Sequence, residues 1–275
     1  MKILIMTDME GVTGVLNHDD WVMPSGRFYD KGMRLLTAEV NAAIEGFVSA
    51  GAKELIVIDG HGAGGLDPET LHERAQLMRG AGLHAWPWGL DKSFDAVAVI
   101  GQHAKAGTPF SHITHTQWFN FIDMRVNDLS IGEYGQFALC AMELGIPTIL
   151  ACGEEAFCRE AEALTPGVFT VSGKRGLLPD GLDALDTDAY RNAKLSAIHL
   201  SPVVVRARIR ESARAALVQC TLHPESFAYP ELTPPYRRTV SFRQNGTTPA
   251  YEASDEHPSS FIALMNQPIP SYRRF

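Results

Sequence analysis

The sequence predicts an α/β fold: a mainly parallel sheet with helices on both faces, followed by a smaller C-terminal α+β portion. Two observations predict it. Up to about residue 165, short apolar runs of the kind buried strands use alternate with helical periodicities, and that order builds parallel sheets covered on both sides. Beyond Pro166 the texture changes to a glycine- and proline-punctuated chain with a late helix and strand. The boundary is placed near 170, giving segments 1–170 and 171–275.

The elements follow in order. Lys2–Thr7 is an Ile-rich strand that runs into Asp8-Met9-Glu10-Gly11. Residues 30–50 place Leu36, Val40, Ala43, Ile44 and Phe47 at helical spacing, and Gly51 stops the helix. Glu54–Ile58 is a buried-type strand ending in Asp59-Gly60-His61. Asp67 as N-cap and Pro68 at the first helical position predict another helix there. Asp95–Ile100 is the next strand, ending in Gly101-Gln102-His103. Residues 119–131 read as a hairpin turning at Asn127-Asp128. A helix runs from Glu133 to about Leu144, a strand covers Thr148–Ala151, and a helix covers Glu154–Leu164. Residues 167–200 read as irregular, Ser201-Pro202 starts a helix through about Val218, and Arg237–Arg243 is a strand behind a proline-rich connector.

Bulk properties exclude several classes. With 275 residues and 45% hydrophobic content, the chain can bury a large core. Its formal net charge of -8 argues against nucleic-acid or anionic-membrane partners, which need a basic face. The N-terminal apolar run is about five residues against the ~7–15 of an export signal, and no stretch approaches the ~18 of a membrane span. Cys140, Cys152, Cys158 and Cys220 form no Cys-x-x-Cys pair and read as reduced, buried thiols of a cytoplasmic protein.

The chemistry gathers at strand ends. In open α/β sheets, ligands bind beyond the carboxyl ends of the strands. Here one such end delivers Asp8 and Glu10, the next Asp59 and His61, the next His103. Asp8 and Glu10 are two residues apart, so an extended backbone points both carboxylates the same way. Carboxylates converging in a partly dry crevice repel each other, and a divalent cation removes that conflict. Glu133, at a helix start where the dipole favours a carboxylate, is a natural fifth ligand. Two imidazoles with three carboxylates suit zinc, and five ligands exceed one tetrahedral ion, so two zinc ions sharing a bridging carboxylate is the economical arrangement. Such a pair can bind a hydroxide and polarise a carbonyl or phosphoryl oxygen together. Taken singly, each residue has an ordinary reading as a helix cap or a hydrogen-bonded histidine; their coincidence at matching positions carries the inference.

Gly60-His61-Gly62-Ala63-Gly64-Gly65 fits the dinucleotide fingerprint G-x-G-x-x-G. Its third glycine does not lie within an opening helix, however, and Asp59 presents the wrong charge to a pyrophosphate. The segment reads as a flexible loop that lets His61 approach metals.

Jointly, MKILIMTDMEGVTGV, DGHG, GQHAKAGTP and RVNDLSIGEYG resemble the motifs of the D-aminopeptidase family, peptidase family M55, over residues 1 to about 165. The resemblance implies a binuclear zinc aminopeptidase that removes N-terminal D-residues such as D-Ala from short peptides. It implies metal ligation by Asp8, Glu10, His61, His103 and Glu133, with Asp8 bridging, and a catalytic role for His115. It also implies a ring-shaped homo-oligomer, a decamer, whose chamber admits small peptides. On this reading 1–170 is the metal-binding catalytic domain, and 171–275 makes oligomer and substrate-channel contacts. Met6 stands where the family signature has serine. Two rival readings are another two-metal hydrolase (a phosphodiesterase or amidase) and a non-catalytic peptide- or metal-binding protein.

Overall fold

A computed structural model describes residues 1–79 and 85–270. In chain order the elements are β1 (Lys2–Thr7), α1 (His18–Trp21), α2 (Tyr29–Ser49), β2 (Glu54–Asp59), β3 (Ala75–Met78), β4 (Ala96–Gln102), β5 (Phe121–Val126), β6 (Leu129–Ser130) and α3 (Glu133–Leu144). They continue with β7 (Thr148–Glu154), α4 (Glu155–Leu164), β8 (Phe169–Gly176), α5 (Thr187–Ala193), β9 (Ala197–His199), α6 (Pro202–Leu222), β10 (Tyr236–Phe242), β11 (Tyr251–His257) and α7 (Phe261–Asn266).

The main sheet has the order β3-β2-β1-β4-β7-β8-β9. Its strands pair in parallel except β9, which runs antiparallel to β8 at the edge. A second sheet, ordered β11-β10-β5-β6, is antiparallel and joins the hairpin to the two late strands. The hairpin turns at Asn127 and Asp128, both with positive φ, as the sequence predicts.

Successive side chains of a strand point to opposite faces, so each central strand feeds two cores. Ile3 and Ile5 of β1 pack with Val40, Phe47, Ile209 and Leu217 from α2 and α6. Leu4 and Met6 pack on the other side with α3, α4, α7 and the small sheet, including Phe137, Phe157, Val240 and Phe261. Burial of both faces explains why these strands read as continuous apolar runs. α3 ends where Gly145 takes a left-handed C-cap, and α6 begins with Pro202 behind an extended Ser201.

Some expectations need correction. No helix follows Asp67-Pro68; Asp67 instead accepts a bond from Glu69 N, and the chain turns toward the edge strand β3. Asp-Pro chemistry starts tight turns as readily as helices, and no apolar helical stripe follows to decide otherwise. Asn41 of α2 clasps this turn at Thr70 O and His72 N. Residues 167–200 are not irregular either: they carry β8, α5 and β9. Strand β8 was hidden because its glycines and a buried lysine break any apolar run.

Helices α2 and α6 lie against each other, and Gly46 marks a close approach. A Cβ there would sit 2.2 Å from Arg210 O and 2.8 Å from Ala213 Cβ. Helix propensity favours alanine over glycine by about 1 kcal/mol, whereas overpacking costs about 1–3 kcal/mol. Gly46→Ala is therefore expected to lower the free energy of unfolding in urea; a variant as stable as wild type would contradict the packing described.

Candidate metal centre

Strands β2, β1 and β4 are adjacent and parallel, so their carboxyl ends open on one crevice. Asp8 and Glu10 follow β1, His61 follows β2, and His103 follows β4. Glu133 enters as the first residue of α3, and His115 from the 111–118 loop. The turn after Glu10 requires glycine: a Cβ on Gly11 would stand 1.9 Å from Gln102 O. The Gly11 amide instead donates to Gly101 O, which locks the β1 turn onto the end of β4.

All six side chains converge. His61 Nδ1 lies 3.3 Å from Asp8 Oδ1 and 3.4 Å from Glu10 Oε2. His103 Nε2 lies 3.2 Å from Asp8 Oδ2 and 3.7 Å from Glu133 Oε1. His115 Nε2 is 3.9 Å from both Glu10 Oε1 and Glu133 Oε1, and its ring stacks on that of His103 at 4.1 Å. Asp8, Glu10, His103 and His115 are buried; His61 and Glu133 are partly so. Asp59, by contrast, is taken up by Arg79 and the Gly65 amide.

Proton positions sharpen the picture. His61 Nε2 donates to Val22 O, His103 Nδ1 to Ala104 O, and His115 Nδ1 to Ile113 O. A carbonyl can only accept, so each outer nitrogen carries a hydrogen, and each inner nitrogen meets the carboxylate oxygens either as a lone pair or with a second proton. Lone pairs facing lone pairs repel unless something positive lies between them. His103 Nε2 and Glu10 Oε2 are indeed buried without a hydrogen-bond partner among the described residues. An imidazole anchored by a backbone carbonyl on its far side is how proteins present histidine to a metal. The donor set fits zinc well.

The electrostatics agree. Burial disfavours a charged His61, but Glu10 and Asp8 outweigh it and hold the imidazole well above its usual range. Burial likewise opposes protonation of His103, yet Glu133, Asp8 and Glu10 raise it well above that range. Glu133 is pushed up to about 7 by burial and by the neighbouring Asp8 and Glu10 carboxylates, against the pull of His103. His115 goes the other way, down to about 3, through burial and the charge of His103.

Sequence reasoning missed the residues underneath. Gln102 donates to Asp8 Oδ2 at 2.8 Å. Glu154 accepts from the amides of Ala104 and His112, which flank the two loops bearing His103 and His115. Glu39 accepts from Thr13 N, and the buried Lys174 of β8 donates to the carbonyls of Glu10 and Val15. Burial pushes Lys174 down to about 8, with Glu154 and Glu39 opposing the shift. With residues 167–200 read as irregular, nothing in the sequence marked Lys174 as buried.

The centre opens into a cavity of about 470 Å³, whose walls include Met6, Gln117, Trp86, Trp88, Trp118 and Met265. Met6, in the position the family signature gives to serine, is an apolar wall residue that also packs against the position of Gly60.

The sequence profile of the D-aminopeptidase family, M55, matches residues 1–255. This chain belongs to the D-aminopeptidase family. The family is one of peptidases and therefore of hydrolases. A D-aminopeptidase of Bacillus subtilis (strain 168) is 33% identical over 178 residues, 64% of this chain and 64% of that protein, so the match spans somewhat less than two thirds of the relative. A solved structure, described as the Zn-dependent D-aminopeptidase DppA from Bacillus subtilis, a self-compartmentalizing protease, shares the fold with a TM-score of 0.79. It is 23% identical, and the alignment covers 96% of this chain and 94% of that one. The parallel sheet with its helices and the separate antiparallel sheet are thus the family member's architecture.

Two outcomes follow from this centre. Because the surrounding carboxylates raise His61 and His103 and Glu133 sits at about 7, zinc entering near neutral pH should release protons. Zinc affinity should weaken as pH falls, since protons compete for the same lone pairs; calorimetric titration in buffers of different ionisation enthalpy measures this, and no buffer dependence would contradict it. Lys174→Met leaves the Glu10 and Val15 carbonyls without their donor, so zinc affinity should fall about 10–100-fold in competition with a chromogenic chelator.

Proposed function

We propose that the protein is a binuclear zinc aminopeptidase that removes N-terminal D-residues from short peptides. The observation that carries the reading is the set of three carbonyl-anchored imidazoles aimed at three carboxylates. Asp8, Glu10, His61, His103 and Glu133 would hold the ions. Asp8 turns Oδ1 toward His61 and Oδ2 toward His103, which supports two positions bridged by that carboxylate rather than one. Zinc held there supplies Lewis acidity, bringing the pKa of water to about 7 and polarising a carbonyl oxygen.

The chain's own residues do the rest. His115 has its Nδ1–H held by Ile113 O, so Nε2 faces the centre, where it would handle a proton or stabilise the intermediate. Phe119 stacks on the same ring at 4.4 Å and fixes its plane. Among the described residues that line the cavity there is no Lys or Arg, whereas Asp8, Glu10 and Glu133 are present. With the carboxylates committed to the ions, the choice of a peptide over a phosphodiester rests on membership of the D-aminopeptidase family.

The preference for D-residues rests on family membership. The Bacillus subtilis protein is described as self-compartmentalizing, and exposed apolar side chains such as Ile198, Val203 and Leu222 support a homo-oligomer here, with a decamer the assembly the resemblance implies. The four buried free thiols support a cytoplasmic location. Among the described residues no helix is long and apolar enough to cross a membrane.

The test is metal analysis of the purified protein together with a panel of D- and L-aminoacyl dipeptides, repeated after chelation. D-peptides should be cleaved, and chelation should abolish cleavage. His115→Ala should lower kcat by about 10²–10⁴-fold while zinc content is retained, whereas His103→Ala should lose zinc. Tight ligand binding with no product over hours would replace the enzyme reading with a binding protein.

A further inference from the structure

The cavity extends from the carboxylates along a side lined by apolar and aromatic residues. Its volume of about 470 Å³ lies in the range of pockets that enclose drug-sized ligands. Away from the carboxylates, Met6, Val99, Trp86, Trp88, Phe137 and Met265 form a wall without a charged group.

This wall is built rather than incidental. Trp86 meets Trp88 edge-on, with ring centroids 4.5 Å apart at 77°, and stands at 76° to Phe137 at 6.2 Å. Its backbone is clasped at both polar atoms by one side chain: Trp86 N donates to Asn266 Oδ1 at 2.8 Å, and Asn266 Nδ2 donates to Trp86 O at 2.9 Å. The indole Nε1 points to Gln136 O at 3.5 Å, on the helix that begins with Glu133. Helix α7 thus holds an aromatic surface in register with the metal centre, and both tryptophan rings remain only half-buried. Half-buried, fixed aromatic surface beside a reaction centre is suited to take an apolar group edge-to-face.

We propose that this wall seats the side chain of a substrate residue flanking the cleaved bond, and that this residue is bulky and apolar, phenylalanine-like rather than alanine-like. The inference rests on the peptidase reading above and adds the substrate class. A single methylene in an apolar pocket changes kcat/KM by roughly 10–200-fold, so the difference between alanine and phenylalanine is large enough to read.

The experiment uses the zinc-loaded full chain and two peptide series, D-Xaa-Gly-Gly and D-Ala-Xaa-Gly, with Xaa as Ala, Leu or Phe. In at least one series kcat/KM should rise by about tenfold or more from Ala to Phe. Trp86→Ala should bring that ratio toward parity, and so should Met265→Ala, which serves if the tryptophan variant does not fold. Alanine equal to or better than phenylalanine in both series overturns the proposal, as does a Phe/Ala ratio unchanged in a folded variant. If no peptide is cleaved, the peptidase reading fails separately. The pocket is then judged by equilibrium binding of D-phenylalaninamide against D-alaninamide, followed by tryptophan fluorescence: about tenfold tighter binding of the former upholds it, and equal affinity overturns it.

Discussion

Three carboxylates and three imidazoles share one small crevice, and only extra protons or a cation between them relieves their repulsion. Like charges about 4 Å apart repel by roughly 4 kcal/mol at an effective dielectric near 20. Each histidine has already spent its hydrogen on a backbone carbonyl, so it has none to offer the carboxylates unless it takes up a second proton. The site therefore takes up protons when no cation is bound, and a cation entering must displace them. Its fitness to hold a cation follows from how the backbone carbonyls orient the imidazoles as well as from which residue types are present.

The fold makes that unfavourable gathering possible. Adjacent parallel strands bring their carboxyl ends together, and burial of both sheet faces gives the strands little freedom to splay. Close backbone contact at Gly11 ties the first loop to β4. Favourable packing over two cores offsets the repulsion concentrated at one end of the sheet, the usual relation between a scaffold and its strained site.

Much of this was legible in the residues. Strands β1, β2, β4 and β7, helices α2, α3, α4 and α6, and the hairpin all carry clean periodicities, because their burial is regular. The strand-end positions of Asp8, Glu10, His61 and His103 could be read for the same reason: a parallel sheet puts strand ends in one place. What stayed hidden had physical cause. Strand β3 is short and lies at the sheet edge, β8 carries a charge inward, and the turn at Asp67 uses the same cap chemistry as a helix. The aromatic wall depended on Asn266 meeting Trp86 across 180 residues of sequence, a contact no local pattern encodes.

Lys174 has a further consequence. It reaches the Glu10 carbonyl from 164 residues downstream, on a strand that docks beside β7. A ribosome releasing the first 150 residues has already exposed every proposed ligand, yet the ammonium that fastens the Glu10 turn is still inside the exit tunnel or unmade. The loop that carries Glu10 therefore gains its last fastening only once β8 has been made and has docked beside β7.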